Sequence, residues 1–200
     1  MITIYGDKRS GNCYKIQLIC ALLDIEHSYV DMDLLEGDTK NPEFLEKTPV
    51  GKIPIIELAD GRVLSESNAI INYLAQGSAY YPEDVFVQAK IQQWQFFEQY
   101  SHEPYIAVAR FIQHYLSLPE SRRKQYKRKH SPGYKALKII NDQLALTNYL
   151  ASDYCTTADI ALYAYTHVAH EGGFDLARFA HINRWFDQIE GLPQYVAMNY

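Results

Sequence analysis

The apolar spacing of this chain changes period once, and that change divides it. Before residue 77, short apolar runs of strand length alternate with stretches of helical spacing. After residue 84 only helical spacing remains. Gly77 to Asp84, which holds Gly, Ser and Pro, reads as a linker between the two regimes. Two hundred residues are enough for two small domains with real cores, and the sequence assigns them to 1–77 and 84–200.

In the first part, Ile2–Tyr5 is expected as a strand, and Asn12 to Leu23 as a helix with Ile16, Ile19, Cys20 and Leu23 at helical spacing. Tyr29–Asp33 is a second strand of weak alternation, which favours a parallel pair joined by a right-handed crossover. Pro42–Lys47 reads as one or two helical turns. Pro54–Leu58 and Arg62–Leu64 flank Asp60-Gly61, a hairpin signal, and Glu66 opens a helix carrying Ile70, Ile71 and Leu74. The order is βαβ, a short helix, then ββα.

The second part is expected to be all helical. Val85 to Leu116 is long and periodic, with Pro104 predicting a kink or break. Pro132–Leu150, Thr157–His170 and Ile182–Ile189 follow. Ser121–His130 is strongly basic and reads as a solvated helix end or loop, with a nucleic-acid patch as the alternative.

The net charge of −5 argues against a nucleic-acid partner. No run approaches the ~20 apolar residues that cross a bilayer, and the first residues read as a strand without an export signal, so no membrane association is expected. Cys13, Cys20 and Cys155 are scattered and odd in number, without CxxC or zinc spacing. A reducing, cytoplasmic setting without a metal is expected.

Three short patterns carry chemistry: Ser10-Gly11-Asn12-Cys13-Tyr14-Lys15 between the first strand and helix, Val50-Gly51-Lys52-Ile53-Pro54 before the third strand, and Glu66-Ser67-Asn68-Ala69-Ile70 at the third helix start. A serine at a helix start is ordinarily an N-cap, but Asn12 is an equally good cap, which leaves Ser10 available. Unpaired N–H groups and the helix dipole favour an anion there, whether phosphate, carboxylate or thiolate. A thiol of pKa ~8.5 needs only about 2.7 kcal/mol to become mostly thiolate at neutral pH, within reach of one hydroxyl hydrogen bond plus a dipole contribution. Cys13, Asn12 and Tyr5 compete with Ser10 for that role. Glu66-Ser67 on its own reads as helix capping, and Lys40 and Lys52 as solvated surface lysines. An isolated Ile53-Pro54 bond reads as trans.

In their order, and together with Thr156-Thr157-Ala158-Asp159 in the helical half, these patterns resemble the cytosolic glutathione transferases, most of all bacterial members with an S-G-N-C-Y-K turn. The resemblance runs over nearly the whole chain. It implies a thioredoxin-like βαβ-ββα domain followed by an all-α helical-bundle domain, usually in a homodimer. It implies glutathione as co-substrate, a small-molecule electrophile as second substrate, and a role in detoxification. It places the catalytic hydroxyl at Ser10, with Asn12 close by in the glutathione site. Glu66 would accept from the γ-glutamyl amino group, and Ser67 would hold its carboxylate. A cis Pro54 would expose the Ile53 backbone to the cysteinyl backbone of glutathione, and Lys52 with Lys40 would meet the glycine carboxylate. The electrophile pocket is expected between the domains, with His102, Tyr105, Ala109 and Phe111 as lining candidates against core packing for each. The rival readings are a glutathione-dependent disulfide or peroxide reductase on the same fold, and a non-catalytic binding protein. Thr156 and Asp159 read as a capping box, part of the fold and not of a site.

Overall fold

The computed structural model describes residues 1–198. Its contacts separate two units, one of residues 1–76 joined by 192–198, the other Gly77–Gly191. The last segment therefore belongs with the first unit and not with the helical one. One bond that holds it there runs from the Tyr14 hydroxyl to the Val196 carbonyl at 2.8 Å.

The first unit contains β1 (Ile2–Gly6), α1 (Gly11–Leu22), β2 (His27–Asp31), α2 (Pro42–Lys47), β3 (Ile55–Glu57), β4 (Val63–Ser65) and α3 (Ser67–Ala75). The sheet order is β2-β1-β3-β4, with β1 and β2 parallel and the other two pairs antiparallel. Ile4 faces Tyr29 on one side and Ile56 on the other. This is the thioredoxin-like βαβ-ββα order that the sequence implies. β2 begins two residues earlier than expected and stops at Asp31, because the Asp33 carboxylate accepts from the Leu35 and Glu36 amides and turns the chain. The Asp60-Gly61 hairpin forms with Gly61 at φ 84°, a conformation glycine adopts without strain.

α1 is not the one-sided helix that its spacing suggests. Nine of its side-chain positions, Lys15 among them, are buried, as in a helix enclosed on nearly every side. It lies so close to β1 that a Cβ on Gly6 would come within 2.8 Å of the Cys13 sulfur. The sheet and its helices close over Ile4, Ile16, Ile19, Ile55, Ile56, Ile70 and Ile71, all fully buried. Ile55 also belongs to a smaller cluster with Met32 and Phe44, joined by Tyr5, Ile53 and Val63.

The helical unit contains α4 (Val85–Phe97), α5 (Glu103–Arg110), α6 (Arg123–Leu144), α7 (Thr157–Thr166) and α8 (Ala180–Glu190). Asp84 caps α4 by accepting from the Phe86 and Val87 amides. The break expected at Pro104 takes the form of a π turn over Glu98–His102, with Pro104 in the first turn of α5. The wider turn accommodates the missing proline N–H and the bulk of its ring.

The start expected at Pro132 is wrong: α6 begins at Arg123 and carries Pro132 inside it. Packing overrides the local break signal, since Gly133, Ala136, Leu137, Ile140 and Leu144 are all buried. Gly133 has its own reason, because a Cβ there would strike the Phe174 ring at 2.5 Å. The basic segment is thus the first half of a helix. α7 ends at Thr166, short of the expected His170, and a 3-10 turn Ala169–Gly172 follows. Thr156 and Asp159 form the expected capping box.

Among the described residues no helix is long and apolar enough to cross a membrane.

Candidate active site

Ser10 is the N-cap residue of α1, so its carbonyl accepts the first helical bond, from the Tyr14 amide at 2.9 Å. Its side chain makes no capping bond. Asn12 is not the cap that the sequence suggested; it is the second residue inside α1. The Ser10 amide bonds to the Asp7 carbonyl at 2.9 Å, which fixes the turn through the backbone. Arg9 holds the same turn from outside, forking onto the Asp7 carboxylate at 2.9 and 2.8 Å and reaching Asp33 at 3.3 Å. Asp7, Arg9 and Asp33 border a cleft of about 430 Å³ beside this turn.

The rivals of Ser10 have surroundings of their own. Cys13 is fully buried, and burial pushes its thiol up to about 12 even though a hydrogen bond with Ser10 pulls the other way. It stays a neutral thiol across the physiological range. The Tyr5 hydroxyl donates to Glu57 at 2.8 Å, and Lys47 pairs with the same carboxylate at 2.7 Å. Burial foremost, then Glu57, raises the Tyr5 pKa.

Asn12 has a different use. Its side-chain oxygen accepts from the Ser67 hydroxyl at 3.2 Å, so the first and third motifs meet. Behind them lies Lys15, fully buried, whose ammonium donates to Ser67 Oγ and to Asn68 Oδ1, each at 3.2 Å. Sequence reasoning missed Lys15 and Asn68. The signal was a lysine set between Tyr14 and Ile16 in a mostly apolar helix.

Glu66 precedes α3 at φ 68°, a left-handed conformation that costs a non-glycine residue on the order of 1–3 kcal/mol. Its side chain is exposed and makes no capping bond, against the plain capping reading. The Ile53–Pro54 bond is cis. Pro54 is buried, Ile53 half-buried, and Lys52 exposed. Gly51 turns at φ 60°, where a Cβ would lie 2.9 Å from Leu45, 3.0 Å from the Thr39 carbonyl and 3.6 Å from Lys40 Nζ. The exposed Lys40 therefore stands beside the turn that carries Lys52.

The candidates in the helical unit fare worse. His102 and Ala109 are fully enclosed and line no open cleft. Thr166 gives its hydroxyl hydrogen to the Leu162 carbonyl at 2.6 Å, so it accepts from His102 Nε2 at 2.9 Å. Their burial agrees with core packing, the competing expectation. Tyr105 and Phe111 are half-buried. Among the described residues no group of three or more His, Cys, Asp or Glu is placed to hold a metal ion.

Comparison with known proteins bears on both halves. The model of the glutathione S-transferase N-terminal domain matches residues 9–76, and that of the C-terminal domain residues 94–193. A glutathione S-transferase structure from Pseudomonas fluorescens Pf-5 is 53% identical with a TM-score of 0.98, over 100% of this chain and 99% of that one. Glutathione S-transferase 2 of Anopheles gambiae is 28% identical over 93% of this chain and 88% of that protein. Elongation factor 1-gamma of Drosophila melanogaster is 30% identical over 98% of this chain, which spans only 45% of that relative. Two domain models matched in chain order, and a solved relative of the same length, show that this chain belongs to the glutathione S-transferase family.

Proposed function

We propose that this protein is a glutathione transferase in which Ser10 stabilises the thiolate of bound glutathione for attack on a small electrophile. The observation that carries the reading is the junction of Asn12, Ser67 and Lys15, which ties the first motif to the third beside a serine whose hydroxyl makes no capping bond. In this reading Ser10 exchanges its weak neutral partner, the Cys13 thiol, for a charged sulfur, and a hydrogen bond to an ionised partner is roughly twice as strong. The protein supplies thiolate stabilisation and proximity, and no histidine-type base is needed.

The γ-glutamyl end binds at Glu66 and Ser67, with the start of α3 offering backbone N–H groups to the carboxylate. The strained backbone of Glu66 favours this over a plain cap, since such strain gathers where a ligand needs it. The cysteinyl backbone pairs with that of Ile53, and Lys52 with Lys40 receives the glycine carboxylate. Lys15 sits behind Ser67 and orients it. A homodimer fits the exposed apolar side chains of the first helical stretch, Phe86 at 73%, Phe96 at 66% and Tyr100 at 83%. A cytoplasmic, detoxifying role belongs to the same proposal.

The likeness to elongation factor 1-gamma supplies the competing reading, a binding module without chemistry. Glutathione-dependent turnover of an aryl halide, an epoxide, a peroxide and a disulfide, with calorimetry of glutathione binding, separates them. Glu66→Ala weakens binding by roughly 1.5–3 kcal/mol through loss of a charge-assisted hydrogen bond. Unchanged affinity in that variant overturns the placement of glutathione. Binding without any turnover leaves the binding module as the better account.

A further inference from the structure

The helical unit concentrates positive charge at the start of one helix. Arg122, Arg123, Lys124, Lys127, Arg128 and Lys129 fall within eight residues of a chain whose net charge is −5. Arg122 is the N-cap residue of α6 and the other five occupy its first turns, the first of which holds no acidic residue. Cations there oppose the helix dipole. Arg123 with Lys127, and Lys124 with Arg128, are like-charged pairs at i,i+4, which destabilise a helix further. One ion pair offsets this, Arg123 with Glu120 at 2.7 Å. Lys124, Lys127 and Arg128 make no ion pair among the described residues.

Part of this charge borders a concavity. Ser121, Lys124, Gln125 and Arg128 recur at helical spacing and, with Lys129 and Tyr105, line a cleft of about 530 Å³ formed within the helical unit. Lys129 is held in place, donating to the Pro104 carbonyl at 2.8 Å with its ammonium 5.4 Å from the centre of the Tyr105 ring. Two lysines and an arginine thus border one concavity, together with a serine, a glutamine and a tyrosine. That donor set matches a multiply charged oxyanion better than a single carboxylate, because the planar fork and the point charges can each take a separate oxygen.

We infer that this cleft is a binding site for a small molecule bearing a phosphate or a comparable dianionic oxyanion, lined by none of the residues assigned to glutathione. The volume suits one small ligand, and the negative charge of the whole chain disfavours a nucleic-acid backbone.

Inorganic pyrophosphate is the probe, read by calorimetry and by thermal unfolding. In the parent it should bind saturably at millimolar concentration or below and raise Tm more than potassium chloride of equal ionic strength. Lys124→Gln with Arg128→Gln should weaken pyrophosphate binding at least tenfold, leave glutathione affinity unchanged, and leave the ligand-free Tm equal or higher. Lys138→Gln, which removes a cation of α6 paired with Asp142 away from the cleft, should leave pyrophosphate binding intact. A parent that responds to pyrophosphate no more than to chloride overturns the inference. So does a double variant that binds as tightly as the parent, and so does a short DNA duplex that binds more tightly than pyrophosphate through the same two residues.

Discussion

Two helices of this protein begin with a hydroxyl residue at the N-cap, and they use it in opposite ways. At α7, the Thr156 side chain accepts from the Ala158 amide at 3.3 Å, and the Asp159 carboxylate returns a bond to the Thr156 amide at 2.9 Å. At α1, the Ser10 side chain caps nothing. The residue three positions on decides which outcome follows. Asp159 can reach back to its cap, whereas Cys13 cannot, and the Ser10 amide is satisfied by the Asp7 carbonyl at 2.9 Å. The α7 start is closed on itself as part of the core, and the α1 start leaves a hydroxyl for other work.

The contrast is sharpest at Asp159. Its carboxylate also accepts from the Leu150 amide at 2.9 Å and from the Trp185 indole at 3.1 Å, joining three segments of the helical unit. Asp159→Ala leaves several buried donors without partners, at about 1–3 kcal/mol each, so roughly 3–5 kcal/mol of stability is lost. Urea unfolding measures this, and a loss below about 1 kcal/mol would make the α7 junction as dispensable as a surface cap.

The same group predicts an unusual pH response. Burial raises the Asp159 carboxyl to about 6 against the hydrogen bonds that favour its ionised form. Its unfolded value is ~3.9, so the folded state binds the extra proton between roughly pH 4 and 6. Its contribution is present at low pH and lost as pH rises through about 6. His167 slopes the other way. Burial lowers it to about 4, while its Nδ1–H donates to the Tyr163 carbonyl at 2.8 Å and its ring stacks on Tyr163 at 4.4 Å. Against ~6.5 unfolded, its contribution is full above that value and lost as pH falls toward 4. The two slopes, each worth roughly 3 kcal/mol, oppose each other across the same window. Relative to the parent, His167→Gln should gain a fall in stability from pH 4 to 6.5, and Asp159→Asn should gain a rise. Shifts of the same sign in both variants would contradict the pairing.

Thr156→Ala should cost about 1 kcal/mol, within the ordinary range for a lost cap, because Asp159 keeps its other donors. Glutathione affinity should not move with it. A Thr156→Ala variant that folds normally but loses glutathione binding would erase the distinction between the two helix starts.

The sequence made most helix starts legible, that of α6 excepted, but not what surrounds them. Residues 1–76 read almost element by element, because strands, hairpin and helices there are short and punctuated by Pro42, Gly61 and the Ser10 turn. α6 was misread because Ser131-Pro132-Gly133 is a strong local break that packing against Phe174 overrides, and packing is not written in a local window. The junction of Asn12 with Ser67 spans 55 residues, so only the family likeness could suggest that those motifs meet. Lys15 escaped notice because a buried lysine looks like a surface lysine until the enclosing helices are in place.

The smallest change in folding stability is expected at Ser10, and it carries the most functional meaning. Ser10→Ala removes no capping bond, only the weak contact with the neutral Cys13 thiol, so less than about 1 kcal/mol of stability should be lost. Glutathione binding should remain, since its recognition is assigned to Glu66, Ser67, Ile53 and the two lysines. The bound thiol should lose a donor to its charged form and titrate about one unit higher or more. Turnover near neutral pH should fall roughly tenfold, equivalent to about 1.4 kcal/mol, and recover partly as pH rises and the thiol ionises without help. Ultraviolet titration of the bound thiolate in parent and variant reads the shift directly. Cys13→Ala is the companion measurement: with its thiol held near 12 by burial, its loss should leave the pH profile of turnover in place. A collapse of activity in Cys13→Ala, with Ser10→Ala unaffected, would move the chemistry to Cys13 and make the α1 start as purely structural as that of α7.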